Sequence, residues 1–189
     1  MQDRIWSTGH QKEDLPIGYH EIKCHIIFDI NLGKNFHRKM RLVGGGRTTT
    51  APVSIIYLSV VLRESFRIAL IIAALKGLEI LSCDIQNAYL TAKCRELIWT
   101  TAGPKFGLEE GSIKVVKMAL HGLKSSGAAF RANLESLLHS IGNTPFKAYL
   151  VIWERPAIKS DGTNYYKYAL VYVDCVLVIR YVLMKKTKK

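Results

Sequence analysis

The chain has 189 residues and carries 27 Lys and Arg against 15 Asp and Glu, a formal net charge of +12, with 49% apolar and 22% charged residues. A disordered polycation would show the reverse balance, so disorder over the whole length is excluded, and the length suits one domain with a real core better than two full ones. The four cysteines (Cys24, Cys83, Cys94 and Cys175) form no CxxC and no close pair, which argues against a disulfide scaffold or a zinc ribbon.

Residues 1–18 read as a polar, irregular segment ending at Pro16 and Gly18, without the apolar run of a secretory signal. A β-rich stretch follows, CHIIFDI over 24–30. Residues 31–35 form a turn, and FHRKMRLV over 36–43 is the return strand of a hairpin with a strongly basic second arm. Gly44, Gly45 and Gly46 stop it. A helix is expected over 59–77, because Ile68, Ile71, Ile72 and Leu75 fall at the spacing of one buried face and Gly77 suits its end. EILSCD over 79–84 is a short apolar strand closing on a carboxylate. A second helix is expected over 126–139, with Phe130, Leu134, Leu137 and Leu138 on one side and Gly142 and Asn143 ending it. The stretch 165–179, YYKYALVYVDCVLVI, is too β-branched and aromatic for a helix and too long for one strand, so it reads as two strands folded at Asp174-Cys175. This order of elements is α+β.

The longest apolar stretch, 168–184, contains Asp174 and Arg180, each costly in hydrocarbon, so no membrane partner is expected. The positive charge favours a polyanionic partner, of which nucleic acid is the commonest. Without the four lysines of the tail at 185–189 the chain still keeps a net charge of +8.

Two carboxylates stand out. Asp84 ends one apolar strand and Asp174 interrupts another at a hairpin tip, where a carboxylate is costly unless it is paired or binds a metal. Carboxylate oxygens are the ligands that hard divalent cations require, and two such ions can stabilise the attacking and leaving oxygens of phosphoryl transfer. Alternatively, each is a strand-end residue facing water.

Read in order, GYHEIKCHIIFDI, RKMRLVGGG, YLSVVLRESFRIALIIAAL, LSCDIQNAYLTAKCRELIW, ALHGLKSSGAAF and ALVYVDCVLVI resemble the reverse transcriptases of copia-type LTR retrotransposons, over residues 19–180. The resemblance implies the fingers and palm of a right-hand polymerase, an antiparallel palm sheet backed by helices. It also implies an RNA-directed DNA polymerase activity that extends a primer on an RNA or DNA template with deoxynucleoside triphosphates. Asp84 then matches the first catalytic aspartate and Asp174 the first aspartate of the YxDD hairpin. Both would be ligands of Mg²⁺, two ions in an active enzyme, with Mn²⁺ as an alternative. Tyr89 matches the aromatic position that rejects a 2′-hydroxyl, or is a core tyrosine. Arg41, with Arg38 and Lys39, lies on the arm that resembles the fingers, where cations meet triphosphate charge; otherwise these residues form a solvated strand face. Gly122 and Lys124 match the YGLK block near the nucleotide, with His121 in place of its tyrosine.

Cys175 stands where the family has its second aspartate. A thiol is mostly uncharged at neutral pH and is poorly matched to Mg²⁺, so impaired catalysis is expected. The family continues into a thumb and a ribonuclease H domain. The chain is therefore expected to be a thumbless part, residues 19–180, followed by a basic tail at 181–189, of a parent polyprotein that includes integrase. Its setting would be intracellular, in a cytoplasmic particle or the nucleus. A non-catalytic nucleic-acid-binding module that uses the basic hairpin and the basic tail is the competing reading.

Overall fold

The computed structural model describes residues 5–10, 15–31, 36–47, 49, 61–147 and 149–182. In chain order the strands are β1 (Trp6–His10), β2 (His20–Glu21), β3 (Cys24–Asn31), β4 (His37–Gly44), β5 (Glu79–Asp84), β6 (Ile98–Thr101), β7 (Ile113–Val116), β8 (Thr144–Phe146), β9 (Tyr149–Ile158), β10 (Asn164–Tyr172) and β11 (Cys175–Arg180). Among the described residues the α-helices are α1 (Arg63–Leu75) and α2 (Ser126–Ser140), with short 3-10 turns at Ala88–Thr91 and Pro104–Glu109, so the class is α+β, richer in strand than in helix. The chain divides into two units, Met1–Tyr57 with Asn87–Asn133, and Leu58–Gln86 with Leu134–Lys189.

In the first unit, β1-β7-β6-β2 make a four-stranded sheet and β3-β4 a separate two-stranded one. β1 lies in the segment read as irregular. It escaped notice because WSTGH has no alternating apolar pattern, and its order comes from pairing with β7 and from Trp6, which is buried with Ile22, Ile98, Val116, Leu120 and Leu123. The β3-β4 hairpin forms where it was expected, in unbroken register from Cys24 opposite Gly44 to Asn31 opposite His37. Its connecting residues 32–35 lie outside the described residues.

The base of that hairpin is locked by backbone contact. Gly44 N–H donates to His121 O at 2.8 Å, and Val43 bridges His121. A Cβ on Gly46 would collide with Gly122 O, and one on Gly122, which sits at φ +88°, would collide with Gly44 O. These glycines do more than stop a strand: no side chain fits between the two backbones.

In the second unit the sheet order is β5-β11-β10-β9-β8, antiparallel throughout. One face of β9 and β10 buries Val151, Trp153, Ala169 and Val171, and His139 of α2 stands edge-on to Trp153 at 4.9 Å. The opposite face carries Leu170 and Ile152 in the cluster that holds Ala73 and Leu78. At one edge, β8 is three residues long and contains Pro145, which blunts further pairing. At the other edge, all of β5 is exposed.

Both helices end where the sequence indicated. At Gly77 (φ +58°) the Leu78 N–H returns to Ala73 O at 2.8 Å, and at Gly142 (φ +82°) the Asn143 N–H returns to Leu138 O at 3.0 Å, each the glycine cap that satisfies otherwise orphaned carbonyls. The expected start of the first helix falls partly on residues 59 and 60, outside the described residues. Its expected buried face is wrong. Ile68 and Ile71 are each 58% exposed and Leu75 81%, whereas Ser65 and Ala73 are buried. Ser65, Ala69 and Ala73 follow one another at intervals of four, and these small side chains let the helix lie close to the sheet, so the bulky stripe turns away. Leu137 is likewise exposed, while Phe130, Leu134 and Leu138 are buried as expected. Among the described residues no helix is long and apolar enough to cross a membrane. Over its described residues, 168–182, the apolar stretch forms the end of β10 and all of β11.

Gly46→Ala and Gly122→Ala should each lower unfolding free energy by about 3 kcal/mol or more, because backbone must move to admit the methyl group. Gly103→Ala, which meets open space at ordinary φ, should change it by less than about 0.5 kcal/mol. Urea titration followed by circular dichroism reads all three.

Candidate functional site

The β10-β11 hairpin turns through Val173 and Asp174, with Tyr172 opposite Cys175. The fold thus comes one residue earlier than Asp174-Cys175. β11 then pairs with β5 so that Cys175 faces Asp84, and the Ile85 N–H donates to Asp174 O at 2.8 Å. That bond flanks the Asp84–Cys175 pair instead of joining it. The pair is therefore of the non-hydrogen-bonded kind, whose side chains approach most closely in an antiparallel ladder. Asp84 and Cys175 consequently share one face of the sheet, and the Asp174 backbone is tied to the residue after Asp84.

Both aspartates are solvent-exposed, as the alternative reading of strand-end residues facing water has it. They cap strands at the margin of the sheet, where water reaches them, and β5 as an edge strand has a neighbour on one side alone. Among the described residues no group of three or more His, Cys, Asp or Glu side chains converges as a metal cluster would. The corner offers two hard carboxylates and one soft thiol.

The turn is strained. Val173 has φ +54°, in the region that suits glycine, and a β-branched side chain there is a true outlier. Such conformations cost about 1–3 kcal/mol and concentrate at functional turns.

The remaining residues singled out by the sequence lie in the first unit. Tyr89 is half-buried, its ring 4.8 Å from His121 and 6.1 Å, edge-on, from Phe130. The His121 ring meets that of Tyr89 at a tilt of 59°. Gly122 is in the glycine contact described above, and Lys124 Nζ donates to Thr49 O at 2.5 Å, tying down the stretch that follows the glycines. Arg41 lies 3.8 Å from Asp29 in an exposed ion pair, an interaction of about 0–1 kcal/mol that leaves its guanidinium accessible. Tyr89, His121, Gly122, Lys124 and the base of β4 are therefore linked within one unit, while Asp84, Asp174 and Cys175 are gathered in the other.

Two polar devices escaped the sequence reading. Glu96 Oε1 accepts from the Ser125 N–H at 2.9 Å and the Ser125 hydroxyl at 2.7 Å, capping α2 with a carboxylate at the helix end where negative charge is favoured. Lys114, 1% exposed, pairs with Glu109 at 2.7 Å. The Glu96–Ser125 pairing has no local signature, since the two residues stand 29 apart. Among the cysteines, burial pushes the Cys94 thiol up to about 11 and raises that of Cys24, so neither is a nucleophile at neutral pH. No protein-family model and no curated protein matches the chain.

Val173→Gly should stabilise the chain by about 1 kcal/mol, the relieved strain exceeding the entropy that glycine adds to the unfolded state. A higher urea midpoint at unchanged slope is the expected result.

Proposed function

We propose that the chain is the fingers-and-palm part of a copia-type RNA-directed DNA polymerase, impaired because Cys175 replaces the second aspartate of its YxDD turn. The observation that carries this reading is the pairing of Asp84 with Cys175 beside the Asp174 turn, two distant stretches meeting at one corner of a sheet. The exposure of both carboxylates suits groups that meet a solvated triphosphate.

The donor set fits one hard divalent ion better than two. Asp84 and Asp174 would hold Mg²⁺, or Mn²⁺, and a bound ion would supply charge neutralisation for the transferring phosphoryl group. Cys175 places a soft thiol where the family's pattern has a carboxylate, on the same sheet face as Asp84. Primer, RNA or DNA template and deoxynucleoside triphosphates are the partners in this reading. Tyr89, Arg41, Gly122 and Lys124 are its nucleotide-side residues, although the Gly122 and Lys124 contacts also serve the fold directly. The setting would be intracellular, beside the integrase and ribonuclease H parts of a parent polyprotein.

Primer extension with Mg²⁺ tests the proposal. Cys175→Asp should raise the rate by about 10²–10³, the scale on which one preorganised electrostatic group acts, and Asp84→Asn should abolish it. Equal, robust extension by the natural chain and Cys175→Asp would remove the claim of impairment. No extension by Cys175→Asp would leave the polymerase reading unsupported.

A second reading, a non-catalytic nucleic-acid-binding module, is favoured by the β3-β4 hairpin. Arg38 is exposed there on the face where Phe28, Ile30 and Met40 stand uncovered, Lys39 is exposed on the other face, and Lys105 Nζ lies 5.1 Å from the Phe28 ring centre. Such a surface combines cations for phosphates with an aromatic ring on which a base can stack. Replacing Arg38 and Lys39 together by Ala should flatten the salt dependence of oligonucleotide binding by nearly 2 in the log–log slope, about 0.7–0.9 per lost phosphate contact. Binding that survives Asp84→Asn with Asp174→Asn, in a chain that never extends primers, would select this reading.

A further inference from the structure

The sheet of the second unit has unequal edges. β8 is three residues long and contains Pro145, whereas β5 runs for six residues with no proline and no lysine, every one of them exposed. The alternation of its ladder sorts its backbone groups. Glu79, Leu81 and Cys83 exchange hydrogen bonds with β11, so Ile80, Ser82 and Asp84 aim their N–H and C=O groups outward, and among the described residues nothing meets them. Outward groups at every second residue are one half of an antiparallel ladder.

The sequence of β5 suits a second β5 as the other half. With a two-fold axis through Ser82, Ile80 pairs with Asp84 of the second copy and Ser82 with its own counterpart, so all the outward groups of both strands are used. On the other face Leu81 stands opposite Cys83 of the second copy, and Glu79 opposite Ile85. No two carboxylates oppose each other in this register.

Helix α1 makes the partner a whole second copy rather than a bare strand. It packs over β5 and β11. Its Ser65, Ile68 and Ile72 line an apolar groove on the side of β8, β9 and β10, so the opposite flank, Phe66, Leu70 and Ala74 at intervals of four, lies toward β5. A two-fold axis perpendicular to the sheet keeps both α1 helices on one side of it, antiparallel and roughly 10 Å apart, the spacing of packed helices. From the Gly77 turn the strand climbs about 3.3 Å per residue and the helix about 1.5 Å, so Ser82 stands level with Leu70. Leu70 then meets its own counterpart, and Phe66, 36% exposed, meets the small Ala74 of the second copy. One axis serves both the strand and the helix.

We propose that the chain forms a two-fold dimer in which the β5 strands pair antiparallel about Ser82 and the α1 flanks pack across the same axis. Because the β8 edge is blunted, the assembly closes at two copies. The dimer does not rest on the polymerase reading, since the strands join through backbone groups and the Asp84 carboxylate takes no part.

Sedimentation equilibrium of the full chain tests it, with a monomer–dimer equilibrium expected between about 1 and 100 µM, the range of a modest interface. Ser82→Pro removes a donor that the monomer does not use, and should leave monomer alone with the circular dichroism spectrum kept. Ala74→Glu, at an exposed helix position, should weaken the dimer about tenfold or more by setting a charge against Phe66. Leu81→Cys should cross-link to Cys83 of the second copy on mild oxidation, because residues opposed in a non-hydrogen-bonded pair approach within disulfide reach, and Leu81→Cys with Cys83→Ser should not. Should Ser82→Pro fail to fold, the cross-link decides. The proposal is overturned by a chain that stays monomeric, by assemblies larger than two, by a cross-link that forms as readily without Cys83, or by an undiminished dimer in Ala74→Glu.

Discussion

The register of β5 against β11 governs everything said about the candidate site. Side chains alternate strictly along a strand, so a slip of one residue would send Asp84 to the opposite face and leave Cys175 beside Cys83 or Ile85. What holds the register is apolar: Ile179, fully buried, faces Ile80, and Val176 faces Cys83, while the tight two-residue turn at Val173-Asp174 fixes where β11 begins. The strain carried by Val173 is a consequence of that turn. A longer, relaxed loop would free the backbone, but it would also uncouple Asp174 from Ile85 and from the end of β5. Chemistry at this corner, of whatever kind, inherits its geometry from a ladder held mainly by apolar pairs.

In the first unit the corresponding constraint is steric. The stretch at 44–46 and the stretch at 121–124 approach until no Cβ fits between them, and Lys124 then reaches across to Thr49 O. A motif read for nucleotide contact therefore has a complete structural justification. The two roles are compatible, since a loop clamped on one side presents its other side rigidly. They are also separable in principle, because the clamp depends on glycine and on a lysine amine, whereas the ring of Tyr89 rests on His121 and Phe130.

The two helices illustrate how a pattern can be right about an element and wrong about its orientation. In α2 the residues at 130, 134 and 138 are both apolar and buried. In α1 the most apolar stripe is the exposed one, because a helix packed flat on a sheet gains more from close approach through Ser65, Ala69 and Ala73 than from wedging in isoleucines. That geometry also opens the groove beside Ser65. Periodicity reports that a stripe exists; the shape of the partner surface selects which stripe is used.

From the amino-acid string alone one could read the α+β class, the β3-β4 and β10-β11 hairpins, both helix ends and β5, because each rests on turn chemistry or periodicity within a few residues. Asp84 and Asp174 stood out as strand-end carboxylates for the same reason, whereas Cys175 was singled out only by the resemblance to a family pattern. The strands β1, β6, β7, β8 and β9 were not, since short segments such as IWTT and IKVV carry too little pattern and owe their form to distant neighbours. Only the tertiary structure decided that Asp84 faces Cys175, that both aspartates meet water, that Glu96 caps a helix 29 residues further on and that Ser65 borders a groove. Each of these is a relation between segments far apart along the chain, and such relations are settled by packing and register, which no local propensity encodes.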